Sequence, residues 1–237
     1  MALILAPGPA PAQPLVADLA DHLVAITAGF TGAEVVMFGA TDGPGEVVVV
    51  VSGPSRPVVV RRKGRFFGVW INRQEMAFEE APSFYALASS KPIDDILQPS
   101  LLDRYQLGLE HLRLLPPNPE AQRDDLPEFR AALVRNKQRE GLYVADAARV
   151  TFLGEQLFRT KISFPANVAT GTYQAQVYLV RDGQVVSAQT TPLLISKIGV
   201  GAEIYDFAQE LSMAYGLVAV SIAVVAGYLA SLAFRRS

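Results

Sequence analysis

The chain has 237 residues, 21 basic against 23 acidic side chains for a formal net charge of −2, a 50% hydrophobic fraction before its 18 glycines are counted, and a mean hydropathy of +0.24. That balance, with a pI near 5.7, argues against a nucleic-acid binder, which needs clustered Lys and Arg. Zero cysteines exclude disulfide scaffolds, thiolate metal sites and cysteine nucleophiles, and with only His22 and His111 present neither a metal nor another cofactor is expected.

Residues 1–14, MALILAPGPAPAQP, read as the remnant of a signal peptide or as a disordered lead-in. Ala10-Pro11-Ala12 resembles a signal-peptidase site, but a basic n-region is missing and the apolar run is short. Residues 15–92 form a β-sandwich region. Strands are predicted at 22–27, 33–40, 46–52, 57–62, 65–72 and 84–89, separated by turn chemistry such as Asp42-Gly43-Pro44-Gly45, Gly53-Pro54 and Lys63-Gly64. Val47 to Val51 show no alternation, which predicts a strand covered on both faces.

Residues 93–142 change period. Ile96, Leu97, Leu101, Leu102, Tyr105, Leu109 and Leu112 predict one helix ended by Pro116-Pro117. A second helix is predicted from Leu126 to Glu140, with Asp124 or Asp125 as N-cap, Pro127 in its first turn and Gly141 as its stop. A second β region follows at 143–198. Tyr173, Ala175, Val177 and Leu179 alternate with polar neighbours, and Arg181-Asp182-Gly183 turns the chain into a return strand. Phe164 to Tyr173 has the character of an immunoglobulin-like corner, in which a tyrosine bonds back to the upstream loop.

A juxtamembrane helix is predicted over 199–212, with Ile204, Phe207, Ala208 and Leu211 on one face. Residues 213–234 carry no charge over 22 positions, about 33 Å as a helix, and are predicted to form a transmembrane helix. Arg235 and Arg236 lie in the 235–237 tail, whereas Glu203, Asp206 and Glu210 precede the span. The positive-inside bias then gives a single-pass inner-membrane protein with the bulk of the chain periplasmic and the C-terminus cytoplasmic. The fold class expected is mainly β: one or two immunoglobulin-like β-sandwiches with a helical insertion and one C-terminal transmembrane helix.

The stretch LVADLADHLVAITAGFTGAEVVMFGATDGPGEVVVVVSGP from Leu15, the later GVWIN from Gly68 and the C-terminal apolar run together resemble the uncharacterised alphaproteobacterial family of transmembrane proteins. The resemblance extends over nearly the whole chain from Leu15 onward. It implies no established activity and no catalytic residue. It does imply an accessory role beside a membrane anion exporter of the sulfite-exporter type, and a full leader peptide that this short N-terminus lacks.

Two constellations remain. Arg56, Arg61, Arg62, Lys63 and Arg65, followed by Phe66, Phe67 and Trp70, suit an anion or lipid headgroups, since arginine grips oxyanions bidentately and aromatics favour the interface. The competing and preferred explanation is a solvated hairpin turn at Lys63-Gly64 with Phe66 and Trp70 in the core. In the apolar span, Ala219, Ala223, Gly227 and Ser231 form a small-residue ladder suited to close helix packing with a membrane-protein partner or a second copy. Paired acids at Asp94-Asp95, Asp124-Asp125 and Glu79-Glu80 are explained by caps and solvation. The functional expectation is a membrane-anchored periplasmic accessory or scaffold protein, in contact with the lipid bilayer and without enzymatic chemistry. The alternative is an anchored anion- or ligand-binding module built on Arg56 to Arg65.

Overall fold

Alternating apolar residues turn most of the chain into strands whose inward faces must find one another. The computed structural model describes residues 14–67, 69–118 and 124–198, together with positions 216, 220, 221, 223, 224, 226 and 227. In chain order the elements are β1 (Leu15–Leu19), β2 (Leu23–Ile26), β3 (Gly32–Thr41), β4 (Glu46–Ser52), β5 (Ser55–Phe66), β6 (Val69–Pro82) and β7 (Tyr85–Ser89). Then come α1 (Ile93–Ile96), α2 (Pro99–Tyr105), a 3-10 turn (Leu109–His111) and α3 (Leu126–Arg139). The last group is β8 (Ala148–Arg149), β9 (Thr151–Leu153), β10 (Leu157–Pro165), β11 (Gly171–Arg181) and β12 (Gln184–Lys197).

The chain divides into two units, one of residues up to Val24 plus Phe30–Ile195, the other of Ala25–Gly29 plus the segment from Ser196 onward. The larger unit is a sandwich. One sheet has the order β1-β3-β10-β9, and the other β2-β12-β11-β4-β7-β8. β1–β3, β3–β10, β10–β9, β12–β11, β11–β4 and β4–β7 pair antiparallel. β7 and β8 run parallel, and so do β2 and β12, whose bonds Leu194 N to the His22 carbonyl and Ile198 N to the Ile26 carbonyl advance together along both strands. Both sheets draw strands from residues 15–92 and from 143–198, so the two sequence blocks are halves of one sandwich.

Burial follows the alternation. Phe158, Thr160, Ile162 and Phe164 of β10 face Tyr173, Ala175, Val177 and Leu179 of β11 across the core, where Phe164 and Tyr173 stack edge-on at 5.7 Å. All five valines of β4 are buried because both sides of the strand are covered. Val47, Val49 and Val51 share the inner face with Ala175, Val177 and Leu179. The opposite face, carrying Val48, Tyr85 and Tyr178, is covered by the helical segment. There Tyr105 meets Tyr178 at 5.3 Å, and the Tyr85 hydroxyl donates to the Gln106 carbonyl and accepts from Gly108 N, both at 2.8 Å.

The expected corner forms: the Tyr173 hydroxyl donates to the Ala169 carbonyl at 2.7 Å. The β11–β12 turn forms on Asp182 and Gly183, at φ 50° and 71°, the left-handed pair a two-residue hairpin needs. The predicted helix across 96–112 is instead α1, α2 and a 3-10 turn. Pro99 forces Gln98 into the extended region at ψ 151°, and Gly108 at φ 105° breaks the chain again.

The smaller unit comprises, among its described residues, the ends of β2 and β12, where Ile198 N donates to the Ile26 carbonyl at 3.0 Å, and seven exposed helical positions between 216 and 227. Among the described residues no helix is long and apolar enough to cross a membrane. The C-terminal transmembrane helix in the expected fold class is therefore not supported, and the fold class is corrected to mainly β without it. The longest described helix, α3, has 14 residues, about 21 Å, and carries Arg130, Arg135, Lys137 and Arg139. Most of the 213–234 expectation, all of 199–212 and 235–237, and residues 1–13 lie outside the described residues.

Candidate functional site

Strands β5 and β6 pair only with each other, making a ribbon of 12 and 14 residues, about 40 Å long. The two extra residues of β6 are absorbed as bulges, one between the Arg56–Ala81 and Val58–Phe78 pairs, the other between Arg62–Gln74 and Lys63–Asn72. Bulges increase twist and re-aim the strand beyond them. The root half buries Val60, Met76 and Phe78, and Val60 lines a cleft of about 200 Å³ with Phe129 and Ala132 of α3. Beyond it the described side chains from Arg61 to Glu75 are exposed.

Lys63 and Gly64 stand inside the ladder, opposite Asn72 and Ile71; the ladder continues to Phe66 opposite Val69, and Phe67 lies in the turn. The turn expected at Lys63-Gly64 is corrected accordingly. Gly64 has another use: a Cβ there would sit 2.1 Å from Cδ of Arg73, the bulge residue, whose stem crosses it. Phe66 and Trp70, expected in the core, lie outside the side chains described here.

The basic cluster divides in two. Arg56 reaches back to the Thr170 carbonyl at 2.8 Å. Arg61 pairs with Glu75 directly across the ladder at 3.1 Å, and Arg62 binds Gln74 at 2.8 Å, Glu128 at 2.6 Å and Asp125 at 3.5 Å. Asp125 stands at the expected N-cap of α3 but makes no side-chain cap bond; its carboxylate turns to Arg62 and Gln74 instead. Lys63 and Arg65, joined by Arg73, which sequence reasoning overlooked, have no ion-pair partner among the described residues. A further cleft of about 570 Å³ runs between Lys63, Gly64 and Arg73.

The histidines both sit beside carboxylates, His22 Nε2 at 2.9 Å from Asp18 and His111 Nδ1 at 2.6 Å from Asp103. These are pairs at the surface, and neither histidine lines the two clefts above or a third of about 580 Å³ between α3 and the 109–114 segment, flanked by Leu114, Val134 and Arg135. Among the described residues no group of three or more His, Asp or Glu is placed to hold a metal ion. Of the expected small-residue ladder, Ala223 and Gly227 are helical and exposed, while Ala219 and Ser231 lie outside the described residues.

One surface feature was invisible in sequence. On the outer face of the four-stranded sheet, Val16, Ala40, Leu157 and Leu153 are aligned by register across β1, β3, β10 and β9, with Phe38 one step along. Val16 is 53% exposed, Phe38 48%, Leu153 47% and Leu157 55%. Polar groups border this row, including Asp18, Arg159 and the Lys161–Glu34 pair at 2.7 Å. Single exposed apolar residues are ordinary; a registered row across a whole sheet face is not.

The core, by contrast, shows itself in its phenols. Burial pushes the Tyr85, Tyr143 and Tyr173 phenols above their ordinary values. For Glu46, burial acts upward, but hydrogen bonds from Lys91 and Ser90 outweigh it and hold the carboxyl below its usual range.

No curated protein matches the chain. A family described as "Putative transmembrane protein (Alph_Pro_TM)" matches residues 14–236, and the chain belongs to that family.

Proposed function

We propose that the chain is a membrane-associated accessory protein that recruits a partner protein through the outer face of its four-stranded sheet, with no catalytic role. The observation that carries this is the registered row of Val16, Phe38, Leu153 and Leu157, apolar at its centre and polar at its border, the composition of a transient protein interface. Membrane association is supported by the family's description as transmembrane. The bulk of the chain is assigned to the periplasmic side of the inner membrane. That assignment rests on sequence, with Arg235 and Arg236 after the apolar 213–234 run and Glu203, Asp206 and Glu210 before it.

The proposed partner is a membrane transporter of the anion-exporter type. The rival reading, an anion site made by Arg56, Arg61, Arg62, Lys63 and Arg65 together, has less support, because three of those five side chains are already engaged. Pull-down of the full chain in mild detergent tests the proposal. A specific membrane partner is expected with the parent protein and should be lost with Leu157→Asp, which places a charge in the row and buries nothing new. Recovery of that partner in equal yield by the variant, or of no partner by the parent, refutes it; recovery of only a second copy makes the face a self-association surface.

A further inference from the structure

We propose that the distal end of the β5–β6 ribbon is a docking element for an anionic lipid surface. Residues 61–75 hold five bases against one acid in a chain whose net charge is −2. Lys63, Arg65 and Arg73 are exposed, and among the described residues none is matched by a carboxylate. Between them the sequence Phe66-Phe67-Gly68-Val69-Trp70-Ile71 is uncharged and aromatic-rich. The last two pairs of the ladder are Arg65 with Trp70 and Phe66 with Val69. Phe67 is 91% exposed and held at φ 47°, and Ile71 is 42% exposed.

An apolar, aromatic end with a collar of bases behind it fits a bilayer interface. Aromatic rings favour the headgroup level, long basic stems extend from apolar surroundings toward phosphate, and each base near an anionic leaflet adds attraction. The ladder pairs the inward half of the backbone amides of the two strands, and the outward half stay hydrated at the headgroup level, which suits a ribbon that docks at the interface and does not enter the hydrocarbon. The arrangement suits a surface better than one soluble anion. The bases are distributed along the ribbon and around its second bulge, whereas one oxyanion needs donors converging on a point. Arg62, tied to α3, fixes the ribbon's root so that the end is presented as an arm. This reading is independent of the partner-binding face, which lies on other strands.

Trp70, the only tryptophan in the chain, supplies the test. The full chain is reconstituted into bilayers of phosphatidylcholine alone or mixed with phosphatidylglycerol, and quenching of its fluorescence by brominated acyl chains is measured. Strong quenching is expected in the mixed bilayers, weak quenching in phosphatidylcholine, and a decline with added salt. Replacing Lys63, Arg65 and Arg73 with Gln should lower the docked-to-free ratio about a hundredfold, at roughly fivefold for each charge. Phe67→Asp, with every base in place, should also reduce quenching. For both variants an unchanged far-UV circular dichroism spectrum and unfolding midpoint separate lost docking from lost fold. Equal quenching in the two bilayers, no quenching in either, or a triple variant that behaves as the parent overturns the proposal. Abolition of quenching by inorganic phosphate, beyond the effect of chloride at matched ionic strength, also overturns it and assigns the bases to a soluble oxyanion. Leu157→Asp should leave Trp70 quenching unaltered, so failure of the partner reading is distinguishable from failure of this one.

Discussion

Replacing Tyr173 with Phe isolates one hydrogen bond at the sandwich corner. The ring is fully buried, with centroids 6.0 Å from Phe84 and 5.7 Å from Phe164, and phenylalanine keeps that packing. What is lost is the hydroxyl that donates to the Ala169 carbonyl at 2.7 Å. Such a bond contributes about 0.5–1.5 kcal/mol net, and a fully buried orphan acceptor costs about 1–3 kcal/mol. Ala169 is only half-buried, so water takes over part of the acceptor and the expected loss is about 1–2 kcal/mol. For a unit of this size that lowers the thermal midpoint by roughly 2–8 °C. Unfolding of the full chain in mild detergent, followed by far-UV circular dichroism, measures it. Burial raises the Tyr173 phenol above its ordinary 10.0, so the stability tied to the neutral phenol is complete below pH 10 and declines as pH rises past it. The variant lacks that decline, and the gap between the two proteins should narrow in alkali. A loss below about 0.5 kcal/mol would refute the view that the hydroxyl holds the corner, as would a gap that widens above pH 10.

Gly39→Ala should destabilise by about 1–3 kcal/mol, read as a lower urea midpoint, because its Cβ would stand 2.5 Å from both the Val16 carbonyl oxygen and Phe158 Cζ. Despite its partial burial, Glu46 is held below 4.5 by Lys91 and Ser90, so its contribution is present above that pH and lost as pH falls through the depressed value. Urea midpoints at acid and neutral pH should show the parent losing this increment and Glu46→Gln losing none. Arg62→Met should cost under about 1 kcal/mol, since its pairs with Glu128 and Asp125 are exposed. Amide hydrogen exchange over residues 61–74 should nonetheless accelerate, and an unchanged exchange pattern would show that Arg62 does not steady the ribbon.

Local chemistry made much of the sandwich readable. An unbroken valine run signals two covered faces, Asp182-Gly183 supplies the two left-handed residues of a hairpin turn, and Pro127 with Gly141 bounds α3. Less legible were features set by distant partners. β10 lies beside β3 although about 120 residues separate them, and β8 and β9, two and three residues long, carry no pattern of their own. The split of the first helix was available in principle, since Pro99 restricts Gln98, but apolar periodicity continues through the break. Lys63-Gly64 misled for a physical reason: a Lys-Gly pair amid charges has turn chemistry, yet here the glycine makes room for the stem of Arg73.

The candidate surfaces show the same division between what a residue is and what it meets. The number of bases on β5 is plain in sequence; their commitments are not, because Glu75 faces Arg61 only once the ribbon is registered, and Glu128 reaches Arg62 only once α3 packs against it. Those commitments turn a run of five charges into a root engaged with its own protein and an end whose bases have no such engagement among the described residues. The apolar row is harder still to see. Each of Val16, Phe38, Leu153 and Leu157 sits at the polar phase of its own strand, where one apolar residue means nothing. Pairing of four strands, two from each sequence block, is what converts four exceptions into one face. Both surfaces therefore belong to tertiary register: a slip of one strand by a single residue would remove the row although the composition stays the same.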